Sequence, residues 1–358
     1  MTADPSSSRA MSAALVHGTV EHGFEGVREA FERGFEKGEL GAGVSAYLDG
    51  RRVVDLWGGW ADAARTREWR RDTITTTYSA TKGMTATCAH QLVDRGVLDL
   101  DERVATYWPE FAQAGKSEVT VRMVLSHQAG LVRTTVPFAP DKRWDRETLI
   151  DALARSAPAW PPGERAEYHG GTFGLLVGEL VRRIDGRSLD VYFREEIAEP
   201  LVADYLIRVG PEDDDRCAQM VGPDDMVGPT NTREYRAFAD GSATSMGAAD
   251  GLARVYAALA RGGELDGVRL LRPATIAAAV QEQPVLPGGT DGAFGLGYQL
   301  LWKVYPGLPS GTFGHTGMGG SIGLADPAKK LGFAFVVNQI PSNGAAHLIA
   351  AAYRAIAA

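Results

Sequence analysis

Apolar residues along this chain follow two different spacings, and the changes from one to the other mark out its elements. Over 23–37, Phe24, Val27, Phe31 and Phe35 recur every three or four residues, the period of one face of a helix. Two short runs over 43–48 and 52–57, rich in aliphatic and aromatic residues, read as strands joined at Asp49-Gly50, a strong hairpin-turn signal. Residues 72–78 are dense in threonine and isoleucine and read as extended chain. The middle then turns helical: a run of apolar and small residues over 83–93 stops at Asp94-Arg95-Gly96, with glycine as the terminator. Further helices are predicted over 122–125, 146–155, 172–184, 189–197 and 248–261. Strand signals return over 295–302, 312–316, 321–325 and 332–338, the last of these after a turn over 326–330. A helix over 344–357 closes the chain, residues 1–15 read as a loose tail, and no internal repeat is visible.

Strands near both ends with helices between them predict an α+β fold. Its antiparallel sheet is completed by the two termini, flanked by the N- and C-terminal helices, and interrupted by a largely helical insertion. The division expected is a tail over 1–15, a sheet domain from 16–78 together with 263–358, and a mainly helical domain over 79–262.

Composition changes this picture little. The chain has 358 residues, 44% of them hydrophobic and 23% charged, which suits a globular protein with an ample core. A formal net charge of -8 argues against nucleic acid as a partner. No apolar run is long enough to predict a membrane span. The first nine residues are polar and no secretory apolar core follows, so a cytoplasmic location is expected. Cys88 and Cys217 match no metal or redox spacing, and none of the seven histidines falls in a ligand-pair pattern, so neither metal nor cofactor is expected. The sequence leaves the oligomeric state open.

The candidate chemistry begins at Tyr78-Ser79-Ala80-Thr81-Lys82. Ser79 and Lys82 are three residues apart, on one face of a helix if the segment is helical. A serine hydroxyl is a poor nucleophile until a base takes its proton, and a lysine can be that base if burial or a helix N-terminus pulls its pKa down. Taken alone, the spacing also fits an N-cap followed by a solvated lysine. Two later segments could complete a site. Tyr168, in the run Glu167-Tyr168-His169-Gly170, could share a proton beside an ammonium, which lowers a phenol's pKa; a half-buried packing tyrosine is the plain alternative. Gly314-His315-Thr316-Gly317-Met318-Gly319-Gly320 combines polar side chains with small residues that let a ligand approach backbone N–H groups.

These three segments, in this order, resemble the serine β-lactamase and penicillin-binding-protein superfamily, whose motifs include Ser-x-x-Lys and Lys-Thr-Gly. The match looks nearest to the class C β-lactamase-like branch, which includes the family VIII carboxylesterases. Leu125-Ser126-His127-Gln128-Ala129-Gly130-Leu131, Trp160-Pro161-Pro162-Gly163 and the turn and helix over 242–252 are similar to supporting segments of that branch. The resemblance implies a serine β-lactamase-like fold with the site at the junction of its two parts. It also implies Ser79 as nucleophile, Lys82 as general base and Tyr168 as proton relay. The backbone N–H groups of Ser79 and Met318 would form the oxyanion hole, and His315, Thr316, Gly317 and His169 would contact substrate. Two departures stand out. The branch usually carries Tyr-x-Asn where this chain has Tyr168-His169-Gly170, and lactamases carry lysine where this chain has His315. A neutral imidazole does not demand an anion, so the expectation moves towards neutral esters.

A small-molecule ester or acyl substrate handled through an acyl-Ser79 intermediate is therefore the expected activity. An acyltransferase with an amine or alcohol acceptor, or a weak β-lactamase, is the alternative. A binding protein that keeps the fold without turnover is disfavoured by intact Ser79, Lys82 and Tyr168. Gly319-Gly320-Ser321-Ile322-Gly323 matches the Gly-x-Ser-x-Gly of another hydrolase class, but that motif needs a strand-to-helix elbow and the sequence here continues as strand. Asp213-Asp214-Asp215 reads as a solvated acidic turn.

Overall fold

A computed structural model describes residues 16–284, 286–288 and 293–357; the tail expected over 1–15 lies outside them. Six strands make the main sheet: β1 (Val16–Val20), β2 (Gly41–Leu48), β3 (Arg51–Gly59), β4 (Phe313–Thr316), β5 (Ile322–Asp326) and β6 (Leu331–Val337). All neighbours are antiparallel, in the order β1-β3-β2-β6-β5-β4. The β2–β3 hairpin turns at Asp49 and Gly50, both at positive φ, as the Asp-Gly pair requires. At the centre, β2 meets β6 with Val44 opposite Phe335.

Alternation along the strands sorts side chains to two covered faces. Ala42, Val44 and Ala46 of β2 and Leu331, Phe333, Phe335 and Val337 of β6 join one core cluster. That cluster is shared with α1 (Glu25–Glu36) and α5 (Gly344–Ala357), through Val27, Phe31, Leu348 and Ile349. Each such side chain, fully buried, stabilises the fold by about 1.5–3 kcal/mol. The opposite face carries small residues, which let α4 (Ala249–Ala260) lie close to the sheet. A Cβ on Gly332 would stand 2.4 Å from the backbone of Ala257, and one on Gly323 2.1 Å from the Tyr256 ring. Beyond α4 the second core continues around α2 (Thr81–Asp94) and α3 (Phe173–Asp185). Every residue of α2 from Thr81 to Leu92 is buried.

Two predicted strands change and one unpredicted strand appears. β1 was not anticipated: its five residues alternate between half-buried and exposed at the sheet edge, too short and too polar to signal. The extended run over 72–78 shrinks to Thr75–Thr76, paired with Met246–Gly247, which in turn pairs Tyr205–Leu206. The strand over 295–302 is replaced by bends and a short helix, Leu301–Val304. Gly297 sits at φ +84 with a would-be Cβ 2.5 Å from Ala86, so the chain cannot continue extended there. Only Gln299 reaches the sheet, exchanging backbone hydrogen bonds with Gly314.

Candidate active site

Ser79 lies in a 3-10 turn, Tyr78–Ala80, that runs straight into α2. The turn is entered through Tyr78 at φ +47, a conformation that costs an aromatic residue energy and needs surrounding support. Tyr78 has that support: it is buried in a small cluster with Met220, Val227 and Ile340. Ser79 itself is left half-buried while its neighbours Tyr78 and Ala80 are enclosed.

One turn on, the Lys82 amine stands 3.0 Å from Ser79 Oγ and donates to the Ser242 carbonyl at 3.0 Å. Lys82 is completely buried, and burial lowers its pKa to about 7, against a smaller opposing pull from Asp240. The amine is thus neutral in much of the population near neutrality. Asp240 also organises the backbone nearby. Its Oδ1 accepts the N–H groups of Ser242, Ala243 and Thr244 and so shapes the loop that presents the Ser242 carbonyl. Ser242 Oγ ties that loop to α3, accepting from Gly174 N at 2.7 Å.

Tyr168 comes from the loop before α3. Its hydroxyl lies near Ser79, and the Lys82 amine lies 4.9 Å from its ring centroid. The ammonium was expected to lower the phenol's pKa, but burial dominates and raises it, so Tyr168 stays a neutral phenol. Phe294 stacks on its ring at 5.6 Å.

His315 lies on β4, 2% exposed, with its ring 6.1 Å from that of Tyr168. Nδ1 donates to its neighbour's carbonyl, Thr316 O, at 2.8 Å, which leaves Nε2 as a bare acceptor without a partner among the described residues. Burial first, and the Lys82 charge second, push its pKa down to about 3. Thr316 is held by Gln299, whose Oε1 accepts from the Thr316 hydroxyl at 3.0 Å. Gly317 packs so close to the segment before Ser79 that a Cβ would lie 2.1 Å from Thr77 O. Met318 opens the turn Met318–Gly320 and is 42% exposed at its surface. Ser79, Lys82, Tyr168 and His315 therefore converge from three separated segments.

His169 occupies a different place. Its Nε2 accepts from Leu131 N at 2.9 Å and its Nδ1 donates to Glu167 O at 2.7 Å, so neither nitrogen is free for a substrate. It holds the Tyr168 loop, together with His127, whose Nδ1 accepts from the His169 N–H. Ser321 is buried between the Met318 turn and β5, with no strand-to-helix elbow. Asp213 and Asp214 pair with Arg216, Arg233 and Arg236. Sequence reasoning did not single out Phe294 or Gln299, whose partners are distant in sequence, or Asp240, whose local turn bonds carry no sign of the site they shape.

The beta-lactamase family model matches residues 24–358. The chain is 35% identical to the esterase/beta-lactamase LipL of Mycobacterium tuberculosis, over 91% of this chain and 84% of that protein. Among solved structures it is similar to a family VIII carboxylesterase, with 38% identity, a TM-score of 0.89, and coverage of 95% of this chain and 99% of that one. A penicillin-binding-protein homologue from Caulobacter crescentus is also 38% identical, with a TM-score of 0.88 over 95% of this chain and 99% of its own. With a match across nearly its whole length, the chain belongs to the beta-lactamase family of serine hydrolases.

Proposed function

We propose that the chain hydrolyses small neutral carboxylic esters through an acyl-Ser79 intermediate. The observation that carries this reading is the buried Lys82 amine 3.0 Å from Ser79 Oγ, with its pKa lowered to about 7. Neutral Lys82 takes the hydroxyl proton as Oγ bonds to the acyl carbon. The carbonyl oxygen then gathers negative charge, which the N–H groups of Ser79 and Met318 stabilise. As the C–O bond to the alcohol breaks, Tyr168 passes a proton to the leaving oxygen and regains one from Lys82. Water repeats the sequence against the acyl-enzyme and releases the acid.

The substrate class follows from what surrounds these groups. Tyr168, Phe294 and His315 form an aromatic wall, and a neutral His315 supplies no fixed cation for a carboxylate. A lysine in its place would favour the anionic β-lactams, so their turnover is expected to be slow. The likeness to LipL and to the family VIII carboxylesterase agrees with an ester substrate.

The test is p-nitrophenol release from a series of p-nitrophenyl acyl esters, wild type beside Ser79→Ala. Steady turnover that vanishes in the variant is expected. A stoichiometric burst without turnover would replace hydrolysis by transfer to an acceptor, and activity retained in Ser79→Ala would overturn the assignment.

A further inference from the structure

The turn that carries Met318 has a second side. Ser342 N donates to Gly319 O at 2.7 Å, and Gly319 and Gly320 lie against Ile340 and Ser342 so closely that a Cβ on either would collide with them. The segment 339–343 is thus a backing plate for the turn. Its far side is one wall of a crevice of about 390 Å³ between α1 and α5. Four basic residues line that crevice: Arg33 and Lys37 from α1 and its C-terminal end, His347 and Arg354 from α5. Among the described residues, Glu39 is the one acid lining it.

The charges there are unusual for this chain. Most of its arginines face carboxylates, as a net charge of -8 would favour. Lys37 and Arg354 have no ion-pair partner among the described residues, and Arg33 reaches only Glu29, at 3.7 Å. Glu39 is turned to another use: its carboxyl hydrogen-bonds Ser342 Oγ, and burial holds it above the ordinary carboxylate range, which weakens its repulsion of an anion. Ser342 Oγ also accepts the N–H of Gly344, the first residue of α5. Ser342 therefore bonds on one side to the crevice and on the other to the turn beside the nucleophile.

We propose that this crevice binds a small multivalent anion, carrying two or more carboxylates or a phosphate, through Arg33, Lys37, His347 and Arg354, and that its occupancy changes turnover through Ser342. The ligand would draw the basic side chains of α1 and α5 together across the crevice. The Glu39–Ser342 contact sits on its floor, so any shift there is delivered to Gly319 and to the neighbouring Met318 N–H. The effect on turnover rests on the oxyanion role proposed above for that group; the binding does not.

Two readouts separate the parts. Calorimetric titration of the full chain with citrate, and separately with inorganic phosphate, at constant ionic strength reads binding without any ester. Saturable binding of at least one is expected, weakened at least about tenfold in Lys37→Ala/Arg354→Ala, the scale of losing charge-assisted hydrogen bonds. Basal ester turnover of that double variant should match wild type. No saturable binding of either probe, an affinity unchanged in the double variant, or an effect reproduced by sodium chloride would overturn the site. Turnover of p-nitrophenyl butyrate with bound anion should differ from that without, and Ser342→Ala should bind the anion yet lose the difference. Binding with no change in wild-type turnover would overturn the coupling alone, whereas an anion-binding protein with no ester turnover would point to failure of the esterase reading.

Discussion

At the scale of single residues, the proposed chemistry depends on one amine kept dry. Lys82 can act as a base only when neutral, and its pKa of about 7 is a consequence of burial. The sign is fixed: protonation below that pKa removes the base, so kcat/KM should rise with pH through about 7 and level off above about 8. A profile flat across that range would remove Lys82 from the role. Lys82→Ala and Tyr168→Phe should each lower turnover at least about a hundredfold, the usual scale for general acid–base groups. Stopped-flow traces would show whether acylation is the step that slows. The pair Ser79–Lys82 was legible because three-residue spacing on a helix is a local property of the sequence. The Ser242 carbonyl and the Asp240 carboxylate that shapes its loop were not legible in their roles. A backbone carbonyl has no residue signature, and nothing near Asp240 in the sequence announces a partner at Lys82.

At the scale of elements, the site is a contact between the start of α2 and the turn after β4. Gly317 makes that contact possible, since any side chain would enter the space of the Thr77 carbonyl, 2.1 Å from a would-be Cβ. Gly317→Ala should therefore push the turn away from Ser79. A displacement of about 1 Å can cost about a hundredfold in rate, and we expect a loss of that order in kcat. Circular dichroism and a melting curve close to wild type would show that the variant is folded; unchanged kcat would mean that the turn does not set the geometry. Element identity was readable where alternation was long, as in β2, β3 and β6. It failed over 295–302, where aromatic and aliphatic residues imitate a strand but glycines at 295 and 297 are pressed against other backbone and helix atoms. It also failed at β1, whose pattern becomes meaningful only once β3 lies beside it.

At the scale of the whole molecule, three neutral histidines are enclosed in or beside the site. Burial holds His127 well below its ordinary pKa, His169 at about 4 and His315 at about 3. In the unfolded chain each would titrate near about 6.5. Between those limits the unfolded state binds more protons than the folded one, so stability is present above about pH 6.5 and is lost as pH falls towards about pH 4. The urea midpoint should drop steadily across that window, and less steeply in His169→Gln; a constant midpoint would contradict the buried neutral state. The sheet built from both ends of the chain was legible in the return of strand signals after a long helical stretch. The pairing of β2 with β6 at its centre has a consequence for biosynthesis. During translation the β2–β3 hairpin leaves the ribosome with an open edge, and its partner follows only after the whole helical stretch between them has been made. The turn that bears Met318 emerges just before that partner, so the nascent protein carries Ser79 without a completed candidate site until β6 has followed. Chaperone demand should accordingly fall late in synthesis, and fragments released early should be both aggregation-prone and inert.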